Sequence, residues 1–153
     1  MPATIRRATL DDLDALVPLF DGYRMFYSQP SDPALARDFL QQRLQRGESV
    51  VLLAERGDTA AGFTQLYPMF SSVRAARTWL LNDLFVAPGA RGEGVGRALL
   101  DAAAAFGREH GAVGLELETT PDNRAAQALY RSAGWQPYTD TLRFQLPLAA
   151  APA

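Results

Sequence analysis

The sequence contains no cysteine and only one histidine in its 153 residues. The absence of cysteine excludes disulfide bonds, thiolate metal ligands and a cysteine nucleophile, and it leaves the redox compartment undetermined. We therefore predict no metal site. The one histidine, His110, stands at the predicted end of a helix, where a surface position is the simplest interpretation, and we assign it no chemical role.

Strong net charge and long apolar runs are also missing. The formal net charge is −2 and there is no long basic run, which argues against a dedicated nucleic-acid-binding protein. No segment approaches the roughly 18 apolar residues of a membrane helix, and the first residues have no apolar signal core. A hydrophobic content of 48% is typical of a folded protein. These features predict a cytoplasmic protein without a membrane partner.

The order of apolar and polar segments predicts one mixed α/β (α+β) domain over residues 1–148, followed by a frayed tail at 149–153. Helices are predicted from Thr9, with a kink at Pro18, over 33–46, from the glycine-rich loop to His110, and over 124–132. Strands are predicted at 3–8, 50–55, 61–68, 77–86, 112–118, 135–138 and 141–146. They would form a largely antiparallel sheet of about seven strands.

The glycine-rich segment 91–96 is the most informative stretch of the sequence. It follows the apolar strand end Leu84-Phe85-Val86 and leads directly into a helix. The first N–H groups of a helix lack backbone acceptors and lie at the positive end of its dipole, so they attract anions. Glycines let a phosphate approach that backbone closely. The segment therefore predicts a phosphate-binding site.

Two familiar phosphate loops fit this segment poorly. A nucleoside-triphosphate loop requires Lys followed by Ser or Thr after its last glycine, whereas Arg97 and Ala98 follow Gly96. A dinucleotide loop requires a further glycine at position 97 or 99. Glu116 does stand where that loop has its acidic residue, so the acid alone does not exclude it. A glycine-rich turn without a ligand is the remaining alternative.

Two segments together resemble the GCN5-related N-acetyltransferase (GNAT) superfamily. The first is Arg91-x-x-Gly94-x-Gly96, after a Val-x-Pro strand end. The second is Asn123-x-x-Ala126-x-x-Leu129-Tyr130-x-x-x-Gly134-Trp135. Further segments, Tyr23-Arg24-x-Phe26-Tyr27 and Leu66-Tyr67-Pro68-x-Phe70, resemble the branch that contains histone and polyamine acetyltransferases.

The resemblance implies a sheet with helices on both faces and a splayed pair of central strands. It implies acetyl-CoA as cosubstrate, its pyrophosphate on the loop N–H groups and its pantetheine arm along the strand before the loop. Tyr130 matches the general acid that protonates the leaving thiolate, although a core aromatic is the alternative. Asn123 matches a coenzyme contact, and a helix cap is equally compatible. The implied coenzyme-binding residues are Leu84, Phe85, Val86, Arg91, Gly92, Glu93, Gly94, Val95, Gly96, Arg97, Asn123 and Tyr130.

Direct transfer to an amine also needs a group that removes a proton from the acceptor. The polyamine branch has two acids before its aromatic pair, whereas Asn82 and Asp83 stand here, which leaves Asp83 as the catalytic candidate. Glu116 and Glu118 are two residues apart, on one face of their predicted strand. The predicted acceptor-binding residues are Tyr23, Phe26, Tyr27, Asn82, Asp83, Glu116 and Glu118.

We predict an N-acetyltransferase that acts directly on a primary amine. A small cationic or polyamine-like acceptor is favoured over an acidic one, because the chain is mildly acidic and offers candidate carboxylates; protein lysine is the other acceptor considered. The alternative is a non-catalytic sensor or partner subunit that binds acetyl-CoA or CoA. Family members are frequently dimers, and the final predicted strand at 141–146 would be free to pair between subunits, so a homodimer is expected.

Overall fold

The structure of the protein is a computed structural model, and it describes residues 2–149. A short first strand is followed by two helices, three strands and then a helix, a strand and a last helix. Within residues 2–149, no helix is long and apolar enough to cross a membrane. The elements are β1 (Thr4–Arg7), α1 (Leu13–Phe26), α2 (Pro33–Gln45), β2 (Val50–Arg56), β3 (Thr59–Ser71), β4 (Ala76–Val86), α3 (Val95–Glu109), β5 (Leu115–Glu116) and α4 (Arg124–Ser132).

The strands form one sheet in the order β1-β2-β3-β4-β5. The first four strands pair antiparallel with their neighbours, and β5 is parallel to β4. The parallel ladder joins only Trp79 to Leu115 and Leu80 to Glu116. Because β4 continues to Val86 without β5 beside it, the two strands leave a gap. This is the predicted splayed pair.

Apolar side chains fill both faces of the sheet, as predicted. Val51 and Leu53 of β2 pack on the side of α1 and α2. Val50 and Leu52 pack on the opposite side, where α3 supplies Leu99, Leu100, Ala103 and Phe106. The alternation along β2 follows from the two-residue period of a strand. The helices therefore lie on both faces of a two-sided core.

The first helices follow the sequence prediction with one difference. Thr9 and Asp12 form a reciprocal capping box before α1. Asp32 caps α2 by accepting the Leu35 N–H, at 3.1 Å. Pro18 was expected to kink or divide the first helix. In the structure α1 runs from Leu13 to Phe26 with Pro18 inside it, so the helix is not divided.

The prediction of about seven strands was wrong in its count, because five strands form in the described residues. The strand predicted at 112–118 is reduced to Leu115–Glu116, and 135–138 and 141–146 form no strand. Alternating apolar residues make a strand only where a neighbouring strand completes the ladder, and these segments have none within the described chain. Apart from Ala149, the predicted frayed tail lies outside the described residues.

Candidate active site

The start of α3 presents backbone N–H groups to the gap beside β4. Gly94 is the N-cap residue and supplies no side-chain acceptor. The Ala98 N–H donates to the Gly94 carbonyl at 3.0 Å. The N–H groups of the three preceding residues, Val95, Gly96 and Arg97, thus lie before the first turn of helical hydrogen bonds, and such groups bind anions.

The glycines of this loop are required by backbone conformation and by packing. Gly92 and Gly94 have φ of +78° and +85°, a region that L side chains rarely adopt. A Cβ atom on Gly96 would lie 3.2 Å from Leu129 Cδ2, so the missing side chain lets α3 approach α4. Glycine at 94 and at 96 therefore serves two different physical purposes.

The charged side chains of the loop are held by the protein itself. Arg91 Nε donates to the Val86 carbonyl at 3.0 Å, and Glu93 forms an ion pair with Arg56. Arg97 bonds a carboxylate on its own helix and a carbonyl at the end of α4. The Arg91 side chain thus helps to shape the loop. Attraction for an anion here comes mainly from the backbone and the helix dipole.

A cleft of about 560 Å³ lies between β4 and α4 and reaches the start of α3. Every residue predicted to bind the coenzyme lines this cleft except Glu93, whose side chain turns to Arg56. The predicted residues around it are Leu84, Phe85, Val86, Arg91, Gly92, Gly94, Val95, Gly96, Arg97, Asn123 and Tyr130. The sheet and two helices thus bring distant parts of the sequence to one elongated site.

Asn123 and Tyr130 come from the start and the end of α4. Asn123 Oδ1 accepts the Ala126 N–H at 3.3 Å, so this side chain caps the helix. Tyr130 is half-buried in the cleft wall, and its ring centroid lies 6.4 Å from that of Trp135. Burial, and secondly the nearby Tyr27, raises the pKa of the Tyr130 phenol. The phenol therefore remains protonated at neutral pH.

A β-bulge decides which face of β4 carries Asp83. Gln65 pairs with Asp83 and Leu66 pairs with Leu81, so Asn82 is an extra residue in the strand. In a regular strand, Asp83 would share the α3 side with Leu81. The bulge reverses the alternation and places Asp83 on the opposite face, beside α1.

Asp83 is a buried carboxylate with two amide donors. It is 1% exposed, and it accepts hydrogen bonds from Gln65 Nε2 at 2.8 Å and Asn82 Nδ2 at 2.7 Å. Burial raises the pKa of Asp83 to about 6, and the two hydrogen bonds partly oppose this by favouring the charged form. A carboxyl that titrates near pH 6 is suited to exchange protons near neutrality.

The C-terminal end of α1 covers Asp83 with aromatic rings. The Tyr23 hydroxyl donates to the Asn82 carbonyl at 3.0 Å. The rings of Tyr23 and Tyr27 meet edge to face at 5.1 Å, and Phe26 contacts Tyr27 in the same way at 5.2 Å. Phe26 and Tyr27 are exposed and also line the cleft. The aromatic segment predicted for the acceptor thus joins Asp83 to the coenzyme cleft.

Sequence reasoning missed Gln65, and it placed Tyr67 in a family motif without assigning it a role at the site. Gln65 is fully buried against Asp83, and the pKa of Tyr67 is raised by burial and then by the Asp83 charge. Both residues lie on β3, and only the register of β3 against the bulged β4 brings them to Asp83. Motif spacing carries no signal for this register.

The two glutamates predicted for the acceptor site lie elsewhere. Glu116 accepts a hydrogen bond from the Tyr138 hydroxyl at 2.8 Å, and Glu118 forms an ion pair with Arg143. Glu116 borders a second cavity beyond β5, and neither glutamate lines the cleft. The structure thus gives both carboxylates partners in the C-terminal segment, and the residue of β4 that pairs with Glu116 is Leu80, not Asn82 or Asp83.

Comparison with known proteins supports the sequence motifs. Residues 16–135 match the model of the Acetyltransferase (GNAT) family. The chain is 46% identical to the uncharacterized N-acetyltransferase YhfO of Bacillus subtilis (strain 168) over 146 residues, which cover 95% of this chain and 98% of that protein. It is 30% identical to aminoglycoside N(6')-acetyltransferase type 1 of Stenotrophomonas maltophilia, over 95% of this chain and 94% of that protein.

A solved structure agrees with the fold over nearly the whole chain. The crystal structure of a probable acetyltransferase superposes with a TM-score of 0.91 at 42% identity, covering 97% of this chain and 99% of that one. The matched region includes the elements that form the cleft, which are β4, the loop that precedes α3, and the helix α4. The chain therefore belongs to the GCN5-related N-acetyltransferase family, whose members take the acetyl group from acetyl-CoA, and it is an N-acetyltransferase.

Proposed function

We propose that the protein transfers the acetyl group of acetyl-CoA directly to the primary amine of a small cationic acceptor. The observation that carries this proposal is the single cleft that joins the start of α3 to Tyr130. The unpaired N–H groups of α3 provide an anion site at one end, and a protonated phenol stands at the other. Acetyl-CoA has a pyrophosphate and a thioester joined by one flexible arm. The pyrophosphate would lie at the anion site and the thioester beside the phenol.

The residues present fit the coenzyme without rearrangement of the loop. The space beside Gly94 is open, since a Cβ built there has no neighbour within 4 Å, so no side chain blocks this face of the loop. Leu84 and Val86 border the cleft where the edge of β4 that faces β5 has no paired strand, so this edge is available to the pantetheine arm. Acetyl-CoA supplies the activated acetyl group. The chain binds it, orients it and moves protons around it.

Tyr130 serves in this proposal as the general acid. Its raised pKa keeps the hydroxyl protonated, and donation of that proton to the departing thiolate makes the sulfur a better leaving group. The tilted contact with Trp135 and the position on α4 fix the ring in the cleft wall. Burial by itself fits a core aromatic equally well, and the cleft is what favours the catalytic role.

Asp83 is proposed as the end of the path that removes the proton from the acceptor amine. Because it is 1% exposed, it cannot touch a bound amine, so a water or a hydroxyl must connect the two. The Tyr23 hydroxyl, which donates to the neighbouring carbonyl of Asn82 at 3.0 Å, is the nearest hydroxyl on α1 that such a path could use. The proton thus passes inward, from the amine to Asp83.

A cationic acceptor is favoured by the aromatic and anionic surroundings. Aromatic faces attract ammonium groups, and Tyr23, Phe26 and Tyr27 form a cluster beside the Asp83 charge. The relative from Stenotrophomonas maltophilia is named for acetylation of an aminoglycoside, a small polycationic amine. Both observations support a small amine over an acidic or neutral acceptor.

The test begins with ligand binding. Thermal unfolding is measured with acetyl-CoA, CoA and NAD, and thiol release is then followed with polyamines, aminoglycosides and lysine peptides. We expect stabilisation by acetyl-CoA and thiol release with the small cationic amines. The sequence contains no lysine, so acetylation of lysine peptides cannot be confused with modification of lysine side chains in the enzyme.

Each other outcome contradicts a defined part of the proposal. Stabilisation by acetyl-CoA without thiol release for any amine would indicate a sensor or partner subunit. Thiol release only with lysine peptides would replace the small amine by a protein acceptor. Stabilisation by NAD alone would show that the cleft has been misassigned.

A further inference from the structure

Gln65 is a buried amide in the middle of the sheet. The residue is 0% exposed, and it lies on β3 directly opposite Asp83 of β4. Its Nε2 atom donates to Asp83 Oδ2 at 2.8 Å. The other half of the amide is not satisfied, because Oε1 is buried and has no hydrogen-bond partner within residues 2–149. An acceptor without a partner therefore lies beside the buried carboxylate.

The two protonation states of Asp83 give this acceptor a purpose. A buried polar atom without a partner lowers stability, so its presence needs an explanation. As a carboxylate, Asp83 only accepts hydrogen bonds, and each of its oxygens has a donor, Gln65 Nε2 at 2.8 Å or Asn82 Nδ2 at 2.7 Å. As an acid, the same group must donate an O–H. In the arrangement observed, both amides present donors to it.

The Gln65 amide is able to serve both states. A half-turn about its last side-chain bond exchanges Nε2 and Oε1, so that Oε1 faces the carboxyl group and accepts its proton. The number of unsatisfied amide atoms stays the same, because Nε2 takes the position that Oε1 leaves. Asn82 is exposed, so water is available to its amide in either state. Gln65 is therefore the amide that must respond to the proton.

The other groups around Asp83 do not take over this function. Tyr23 approaches from α1 and Tyr67 lies on β3, and burial, followed by the Asp83 charge, raises the pKa of both phenols. Both phenols are thus neutral near pH 7. On α2, the Arg43 charge opposes the shift at Tyr67, but this guanidinium pairs with Glu48 at 3.0 Å. No ion pair within residues 2–149 involves Asp83.

We propose that Gln65 is the positioning residue of the acceptor-side proton path, with Nε2 holding Asp83 as a carboxylate before transfer and Oε1 turning to hold it as an acid afterwards. This inference rests on the base role proposed for Asp83. In the step, the amine N–H bond breaks and its electron pair stays on the nitrogen. The proton passes through the connecting water or hydroxyl, and the Asp83 O–H bond forms. The proton returns to solvent when the amide turns back.

The first test replaces Gln65 by Met, a side chain of similar length that has neither an N–H donor nor a strong acceptor. The variant loses a strong bond to the charged carboxylate and a weaker bond to the neutral acid. The Asp83 midpoint should therefore rise by about one pH unit from its value of about 6. In thiol-release assays, kcat/KM should be about tenfold below wild type at pH 5 and equal to it at pH 9.

Thr64→Val is the matched control. Thr64 precedes Gln65 on β3 and is equally buried, and its hydroxyl donates to the backbone carbonyl of Asp83 at 2.7 Å. The substitution thus removes a buried hydrogen bond to the same residue but not to its carboxyl group. It should lower the urea midpoint and leave the pH midpoint at the wild-type value.

The second test needs neither acetyl-CoA nor an acceptor. NMR follows the Asp83 carboxyl carbon and the Gln65 side-chain amide protons through a pH titration of the wild-type protein, and Asp83→Asn assigns the carboxyl signal. The two groups should titrate with one midpoint, because the amide turns with the proton. In Asp83→Asn, the Gln65 amide signals should stay at their low-pH wild-type positions at every pH. This titration does not require any Gln65 variant to fold.

Two results would overturn the proposal. If Gln65→Met leaves the carboxyl midpoint unchanged or lowers it, Gln65 only fills space in the core. If the Gln65 amide signals do not move with the Asp83 carboxyl, the amide does not turn. Joint titration of the two groups in a chain that releases no thiol with any amine would support the pairing of Gln65 with Asp83 and contradict the proposed function instead.

Discussion

Replacing Asp83 by Asn tests the buried carboxylate at the centre of the proposed proton path. The pKa of Asp83 is raised from 3.8 to about 6, because the group is almost fully buried. The folded chain therefore holds this proton over a pH range in which the unfolded chain releases it. Asp83 contributes most stability below pH 4, and that contribution is lost as the pH rises to about 6.

The size of the effect follows from the shift. About two pK units at 1.36 kcal/mol each correspond to roughly 3 kcal/mol, as an upper value for a buried group. Asparagine keeps the shape of the protonated acid. Its amide can donate to Gln65 Oε1, which has no partner in the structure, once the Gln65 amide turns over. Asp83→Asn should therefore be more stable than wild type at pH 7, by up to about 3 kcal/mol, and equal to it near pH 4.

The assay is urea unfolding from pH 4 to pH 8, combined with the pH dependence of thiol release. For wild type, kcat/KM should rise through about pH 6, where Asp83 ionises. The variant should lose that rise and about 100-fold in rate, as expected for a missing base. Asp58→Asn, in the exposed turn between β2 and β3, is the control and should match wild type in both measurements.

Two results would refute this reasoning. If the variant keeps the wild-type rate and pH profile, Asp83 is a structural carboxylate and takes no part in proton transfer. If the two stability curves run parallel between pH 4 and pH 8, the carboxyl does not titrate in this range in the folded protein. Other groups contribute equally to both curves, so only the difference between them is interpreted.

Three further changes test the coenzyme side and the sheet. Tyr130→Phe should keep its affinity for acetyl-CoA and lose about 100-fold in kcat, whereas unchanged turnover would remove Tyr130 from the acid role. Gly94→Ala should weaken acetyl-CoA binding about tenfold, by calorimetry, because the strained backbone misplaces one charge-assisted hydrogen bond. Gly47→Ala, at a φ of +63° just after α2, should lose stability but not affinity, and equal losses of affinity in the two variants would contradict the loop assignment. Gly62→Ala should cost about 2 kcal/mol in urea unfolding, because its Cβ would lie 2.6 Å from the Phe85 carbonyl oxygen, and an unchanged midpoint would disprove that packing.

Local patterns were sufficient for the parts of this protein whose causes are local. The glycines at 92 and 94, the helix that follows them and the cap at Asn123 were predictable, because backbone conformation and capping depend on residues close in sequence. The family motif joined two such segments and indicated the cleft between them. A largely antiparallel sheet was also predicted, and the first four strands pair in this way.

Tertiary structure decided the features that depend on which strand lies beside which. The bulge at Asn82 turns Asp83 to the α1 side, and the register of β3 brings Gln65 against it. Glu116 and Glu118 share one face of a strand in the sequence prediction, yet in the structure they contact Tyr138 and Arg143 of the C-terminal segment. The alternation at 141–146 is a strand pattern whose partner strand is missing from the described chain. The sequence determines where the chain can turn and which residues are apolar. Strand pairing and the burial of a side chain each depend on two segments at once, so only the assembled fold decides them.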